Sequence, residues 1–331
     1  MEGYELVRRA IEFDSPERLP FYQDVLPDVP SDVIDSWEMD RAKRGWFFNQ
    51  GSQEDDWGCI WQRTEKDNMG QVKIHPLEDW SRMKDYSPPD PDDDYYYERV
   101  TEELDKAGDR YVVLTCHFNL IERLHMLHGF QHTLIDIYRK PDKIEAVLDL
   151  ILDFKTSMIR NVRSRFGGRV HGIFFTDDWG TQQGTLIDLQ TFRRFFKPRY
   201  EKLVRAVHNA NLHFILHTCG KVTRFIPEFI DLQIDVLNLQ QPRILPIEEV
   251  GDRFAGKVCF LTTVDIQSTL PSGTYQEIRK EVEDLIRYWA TPNGGLIVFN
   301  YGDGTAIGVS QDRTQIMFQA FMKCMSSRTW H

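Results

Sequence analysis

Gly172-Ile173-Phe174-Phe175-Thr176-Asp177-Asp178-Trp179-Gly180 is the stretch that decides the fold. A run apolar on both faces, too short for a helix, breaks into a polar segment that ends in glycine. That is a fully buried strand running into a loop. The pattern recurs outward in both directions. Tyr111–Leu114 leads into Thr115-Cys116-His117, Phe214–Leu216 into His217-Thr218-Cys219-Gly220, and Val236–Leu239 into Gln240-Gln241-Pro242. Val258–Leu261 leads into Thr262-Thr263-Val264-Asp265, and Leu296–Phe299 into Asn300-Tyr301-Gly302-Asp303-Gly304. Helical segments lie between them: Asn119–Leu127, Pro141–Arg163, Asp188–Ala210, Val222–Ile230 and Tyr275–Trp289. The last carries Ile278, Val282, Leu285, Ile286 and Trp289 at spacings of three and four behind an N-cap at Thr274. Strands alternating with amphipathic helices predict a parallel sheet covered by helices. No Gly-x-Gly-x-x-Gly follows an early strand, which favours a TIM-like (β/α)8 barrel over an open doubly wound sheet.

Upstream the pattern changes. Tyr4–Phe13 reads as an amphipathic helix, Leu19–Tyr22 as a short strand, and Trp57–Trp61 with Gln71–His75 as a hairpin turned by Asp67-Asn68-Met69-Gly70. Ser87-Pro88-Pro89-Asp90-Pro91-Asp92-Asp93-Asp94 cannot pack and reads as an exposed connector. The expected organisation is therefore a small α+β extension over residues 1–94 packed on a barrel over residues 95–331. The aromatic residues Trp46, Phe47, Phe48, Trp57 and Trp61 of the extension are expected in a core, with a cover over the barrel mouth or a homodimer contact as the alternatives.

The chain has 331 residues, 41% of them apolar, enough for one large core. Its 40 Lys+Arg against 51 Asp+Glu give a net charge of −11, with no basic run, which argues against a nucleic-acid partner. No apolar stretch approaches the ~18–20 residues that span a bilayer, and Met1-Glu2-Gly3-Tyr4 lacks a secretory signal, so a cytoplasmic location is expected. Five widely spaced cysteines (Cys59, Cys116, Cys219, Cys259 and Cys324) read as free thiols or metal ligands.

In a barrel, chemistry sits where strands end. Polar residues there also cap helices and turn chains, but six successive strand ends carrying acids, imidazoles, thiols and amides exceed what packing requires. His217 and Cys219, two residues apart past one strand, point the same way and suit one borderline metal such as Zn²⁺. Asp177 and Asp178 are adjacent and so point to opposite sides: one faces the cavity and the other caps a helix. Glu122-Arg123 reads first as a surface ion pair. His125, His128, His132, His171, His208 and His213 read as structural or solvated.

The segments Thr176–Gln182 with Leu186-Ile187, Phe192-x-x-Phe195-x-x-Pro198, His217-Thr218-Cys219-Gly220, Thr263-Val264-Asp265, Leu270-Pro271-x-Gly273-Thr274 and Gly294–Ile297 together resemble the uroporphyrinogen decarboxylase superfamily. The resemblance covers roughly residues 110–325, with a weaker echo in Asp56-Trp57-Gly58 and His75-Pro76-Leu77. That superfamily implies a TIM-like barrel. It includes true decarboxylases and methyltransferases that serve corrinoid proteins. True uroporphyrinogen decarboxylases carry an Arg-Gln-Ala-Gly-Arg segment that binds the acidic substrate, whereas this chain reads Arg18-Leu19-Pro20-Phe21-Tyr22-Gln23. Uroporphyrinogen is thus disfavoured.

The methyltransferase branch implies zinc held by His217, Cys219 and a later cysteine. Asn300-Tyr301-Gly302-Asp303 stands where that cysteine is expected, which leaves an oxygen from Asp303, Glu122 or Tyr301 as the third ligand, with a metal-free site as the alternative. The resemblance assigns catalysis to Asp178, Asp265 and Tyr301, and substrate binding to His117, Asp177, Trp179, Gln182, Gln240 and Asn300. The chain has no Asp-x-His-x-x-Gly, so the corrinoid (cobalamin) comes on a partner protein. A methylated or methoxylated small molecule is the expected methyl carrier. The runner-up readings are decarboxylation of another small carboxylate and a non-catalytic ligand-binding barrel.

Overall fold

Each predicted run of apolar residues is a strand, and each lies beside its successor in one parallel sheet. The computed structural model describes residues 1–38, 51–63, 70–302 and 304–326. Trp46, Phe47, Phe48, the turn residues Asp67-Asn68-Met69 and Asp303 lie outside that set. The described strands are β1 (Phe21–Tyr22), β2 (Val33–Glu38), β3 (Gly51–Glu54), β4 (Ile60–Arg63), β5 (Gln71–Ile74), β6 (Tyr111–Cys116), β7 (Gly172–Thr176), β8 (His213–His217), β9 (Val236–Leu239), β10 (Cys259–Thr262) and β11 (Leu296–Phe299).

Eight of them run in the order β1-β11-β10-β9-β8-β7-β6-β2, every pair parallel. The ends of this sheet meet. Asp32 N–H donates to the Phe21 carbonyl at 2.8 Å, the Asp32 carboxylate accepts from Phe21 N–H at 2.8 Å, and the Tyr22 hydroxyl donates to Asp35 at 2.7 Å. The result is a nearly closed (β/α)8 barrel surrounded by helices. The expected division at residue 94 is corrected by this closure: β1 and β2, from the supposed extension, are two staves of the barrel. β1 lies within the predicted strand Leu19–Tyr22, but its two residues gave no sign of barrel membership, and β2 was missed because it carries Asp35 in its middle.

Alternation along the strands sorts the core. Val33, Val113, Phe174, Ile215, Val236, Leu261 and Ile297 fill the barrel interior, with Val7, Ala10 and Ile11 of the helix Gly3–Glu12 plugging its N-terminal end. Residues of opposite parity pack outward against the helices. The helix Tyr275–Trp289 starts where predicted, with a capping box between Thr274 and Glu277. The predicted helix Asp188–Ala210 is interrupted by a π-helical turn over Phe192–Phe196 before Lys197–Asn209. Pro198 offers no N–H to continue the ladder there.

β3, β4 and β5 form a separate antiparallel sheet. Asp55 fastens it to the barrel by accepting from Trp57 N–H, Cys59 N–H, the Trp61 indole at 2.9 Å and Arg123 at 3.1 Å. Arg123 is fully buried over the Trp57 and Phe118 rings, and Trp57 and Trp61 are core residues. The surface pairing expected for Glu122-Arg123 is therefore wrong: Arg123 pairs with Asp55 inside the protein. Among the described residues, no helix is long and apolar enough to cross a membrane.

Candidate active site

One step beyond the apolar layer, the inward-facing positions become polar. Asp35 on β2, Thr115 on β6, Thr176 on β7, His217 on β8 and Asn238 on β9 follow Val33, Val113, Phe174, Ile215 and Val236 at two-residue spacing. This ring sits at the C-terminal end of the barrel, below a cavity of about 770 Å³. Phe174 and Phe299 stack at 6.5 Å, with Tyr22 edge-on to Phe299 at 5.1 Å, so the floor is aromatic.

On one wall three donors converge. Cys219 Sγ lies 3.3 Å from His217 Nε2, which lies 3.6 Å from Asp178 Oδ1, and all three ligand atoms fall within 4.8 Å of one another. Two glycines make this possible. A Cβ on Gly220 would stand 2.2 Å from the Gly180 carbonyl carbon, and Gly220 has φ +85°. The β7 and β8 loops therefore cross backbone to backbone, and Cys219 N–H donates to Asp178 Oδ1 at 2.8 Å. On its other edge, His217 Nδ1 faces Asn238 Oδ1 at 2.7 Å.

Glu122 is buried on the neighbouring wall and accepts from the Thr176 hydroxyl at 2.6 Å. Burial, reinforced by the charges of Asp178 and Asp177, holds its carboxyl well above the ordinary carboxylate range. Burial and the same Asp178 carboxylate push the Cys219 thiol up as well. A cation placed among these groups would reverse both tendencies.

His117, Glu122, Asp178, His217, Cys219, Gln240, Asn300 and Tyr301 all line the cavity. Four expected site residues do not. Asp177 is fully buried and accepts from Leu120 N–H at 3.1 Å, Glu122 N–H at 2.9 Å and the Tyr200 hydroxyl at 2.6 Å. It caps the helix Leu120–His128 from the next strand's loop, so its assignment to substrate is corrected. Burial still pushes its carboxyl up to about 7 against those hydrogen bonds. Trp179 is buried against Phe192, Phe196 and Phe225 and reaches no cavity. Asp265 is buried and accepts from Gln267 N–H at 3.1 Å, Ser268 N–H at 2.9 Å and Arg243 N–H at 3.2 Å, so its carboxylate is held among backbone amides while Ile266 and Gln267 of its loop line the cavity. Gln182 is exposed and bonds Gln267 at the rim.

Of the expected third ligands, Asp303 lies outside the described residues and Glu122 is engaged with Thr176; among the described residues the acid that groups with His217 and Cys219 is Asp178. Asp35 and Asn238 are site residues that strand-end reading passed over; counting in twos up β2 and β9 finds them. Arg243, the one strand-end arginine, donates to the Thr269 hydroxyl and does not line the cavity. Two other arginines do line it, Arg63 and Arg110.

A barrel whose C-terminal mouth joins a mixed nitrogen, sulfur and oxygen donor set to an aromatic-floored cavity defines a class of small-molecule site. The family is more specific. The chain belongs to the uroporphyrinogen decarboxylase (URO-D) family, whose model matches residues 62–324. Among solved structures it is similar to a methyltransferase from Methanosarcina mazei, with a TM-score of 0.61, 17% identity and coverage of 81% of this chain and 76% of that one. It also aligns with a Bacteroides ovatus GH5 xyloglucanase, with a TM-score of 0.40, 11% identity and coverage of 70% of this chain and 59% of that one. No curated protein sequence matches it.

Proposed function

We propose that this chain is a methyltransferase that holds Zn²⁺ through His217, Cys219 and Asp178. It moves a methyl group between a methylated or methoxylated small molecule in the cavity and a corrinoid carried by a separate protein. The observation that carries the reading is the spacing of the donor cluster. Tetrahedral zinc bonds of about 2.0–2.3 Å separate neighbouring donors by about 3.3–3.8 Å, and the two closest separations here are 3.3 and 3.6 Å. Bound zinc would supply Lewis-acid polarisation of the heteroatom that carries or receives the methyl group.

The chain's own residues do the rest. Held by three protein ligands, zinc would keep a position for substrate, as in catalytic rather than structural sites. Phe174, Phe299 and Tyr22 exclude water beneath the reacting group, and His117, Gln240, Asn300 and Tyr301 offer polar contacts that orient it. Glu122, its carboxyl pKa raised by burial, lines the same space.

The test mixes the protein with a corrinoid protein and candidate methylated donors and follows the visible spectrum of the cobalt centre. Conversion by the wild type, absent in His217→Ala, is the expected result. Carbon dioxide release from a carboxylate with no spectral change would replace the reading with decarboxylation. Ligand binding without either would leave a binding barrel.

A further inference from the structure

We infer that Asn238 is a positioning residue that fixes the tautomer of His217, with the proton on Nδ1 and the Nε2 lone pair aimed at Cys219 and Asp178. The inference deepens the zinc reading, but its first test does not depend on it.

The chain of reasoning starts at a backbone carbonyl. Asn238 is fully buried on β9, and its Nδ2 donates to the Leu261 carbonyl of β10 at 2.9 Å. A carbonyl only accepts, so the amide cannot be turned over without setting two oxygens against each other. Its Oδ1 must therefore face β8, where His217 Nδ1 lies 2.7 Å away. An amide oxygen at that distance accepts, so Nδ1 carries the hydrogen. The competing arrangement would have Gln240 Nε2 donate to a bare Nδ1, but that separation is 3.4 Å. It would also leave Asn238 Oδ1 and the Nδ1 lone pair in contact. Gln240 Nε2 instead donates to Asn238 Oδ1 at 2.7 Å, so the oxygen takes two hydrogens and is held from a second side.

A neutral imidazole protonated on Nδ1 has its lone pair on Nε2. That nitrogen is the one 3.3 Å from Cys219 Sγ and 3.6 Å from Asp178 Oδ1. In free imidazole the proton prefers neither role so strongly. Here three consecutive strands, β8, β9 and β10, hand the orientation from a main-chain carbonyl to a donor nitrogen. The Phe174 ring lies nearly parallel to His217, at 14° with ring centroids 6.3 Å apart.

The experiment uses ¹⁵N-histidine-labelled, metal-free protein at pH 8, where long-range proton–nitrogen correlations report which nitrogen of His217 is protonated. His217→Gln assigns the signal. Wild type is expected to show Nδ1–H, Asn238→Leu a mixture of tautomers, and Asn238→Asp, which keeps the acceptor, a restored Nδ1–H. Zinc titration against a chromophoric chelator then reads the consequence: Asn238→Leu is expected to bind about 10–100-fold more weakly, with Asn238→Asp recovering much of the loss. A thermal melt of each variant separates loss of fold from loss of orientation. Nε2–H in the wild type, or an unchanged tautomer in a folded Asn238→Leu protein, overturns the inference. Wild-type protein that shows Nδ1–H but binds no zinc leaves the tautomer assignment standing and removes the metal reading alone.

Discussion

Gly220→Ala is the sharpest probe of how the site is assembled. The added methyl would stand 2.2 Å from the Gly180 carbonyl carbon and 2.4 Å from its oxygen, against a main chain that cannot rotate out of the way. Ordinary contact begins near 3.4 Å, so the two loops must part by about 1.2 Å. Alanine at φ +85° adds ~1–2 kcal/mol of backbone strain. Because Asp178 rides on one loop and Cys219 on the other, parting them stretches the 2.8 Å bond between Cys219 N–H and Asp178 and opens the donor cluster. Misplacement of reacting groups by ~1 Å costs about 100-fold, and zinc affinity and any methyl transfer should fall by at least tenfold. Chelator-competition titration and urea denaturation measure the two effects separately. A Gly220→Ala protein with wild-type zinc affinity would refute the claim that the crossing of these loops builds the site.

Arg123→Ala should destabilise the fold by about 3–5 kcal/mol in urea unfolding, because it leaves the buried Asp55 carboxylate without its countercharge; a loss below about 1 kcal/mol would show that Asp55 is satisfied by Trp61 and the amides alone. The pH dependence has a defined sign. His171 Nδ1 accepts from Val112 N–H at 2.8 Å, and burial lowers its pKa to about 4. Between about pH 6.5 and 4 the unfolded chain binds a proton that the folded one refuses, so stability is full above that window and falls as pH drops through it. His171→Asn, whose side-chain oxygen still accepts from Val112, should flatten that acid limb in pH-dependent melts, by less than the ~1.4 kcal/mol per pH unit that a whole proton carries, since His171 is partly exposed and His125 follows the same course. An unchanged slope would mean that His171 is not a source of the limb.

Strands β6 to β11 were legible because a strand buried on both faces reads as a nearly continuous apolar run, with Asn238 of β9 the one polar break inside the runs read, and the polar residues that follow each run marked a barrel rim. β2 was not, since it carries a carboxylate at Asp35, and the predicted strand Leu19–Tyr22 gave no sign that its last two residues, Phe21–Tyr22, close the barrel. At the site, the spacing of His217 and Cys219 together with their place at a strand end showed that they share the cavity wall. Carboxylates were harder to sort. Asp178 and Asp265 both follow a strand and both accept from an amide of another loop, yet Asp265 is also turned onto the amides two and three residues ahead of it and lies off the cavity, whereas Asp178 lines it. The local Asp-x-x-Ser pattern at Asp265-Ile266-Gln267-Ser268 signals such a turn. The cross-loop reach of Asp178 depends on two glycines forty residues apart, which no local pattern reports. The same holds for Asp177, whose helix belongs to a different repeat.

The most direct test of the central claim is zinc-edge X-ray absorption on protein purified without chelators, with metal content measured alongside. The account predicts about one zinc per chain, bound by one sulfur with the remaining ligands nitrogen or oxygen, the sulfur contribution vanishing in Cys219→Ser and affinity falling in Asp178→Asn. Zinc coordinated by two or more sulfurs, or protein that takes up no zinc while fully folded, would contradict it.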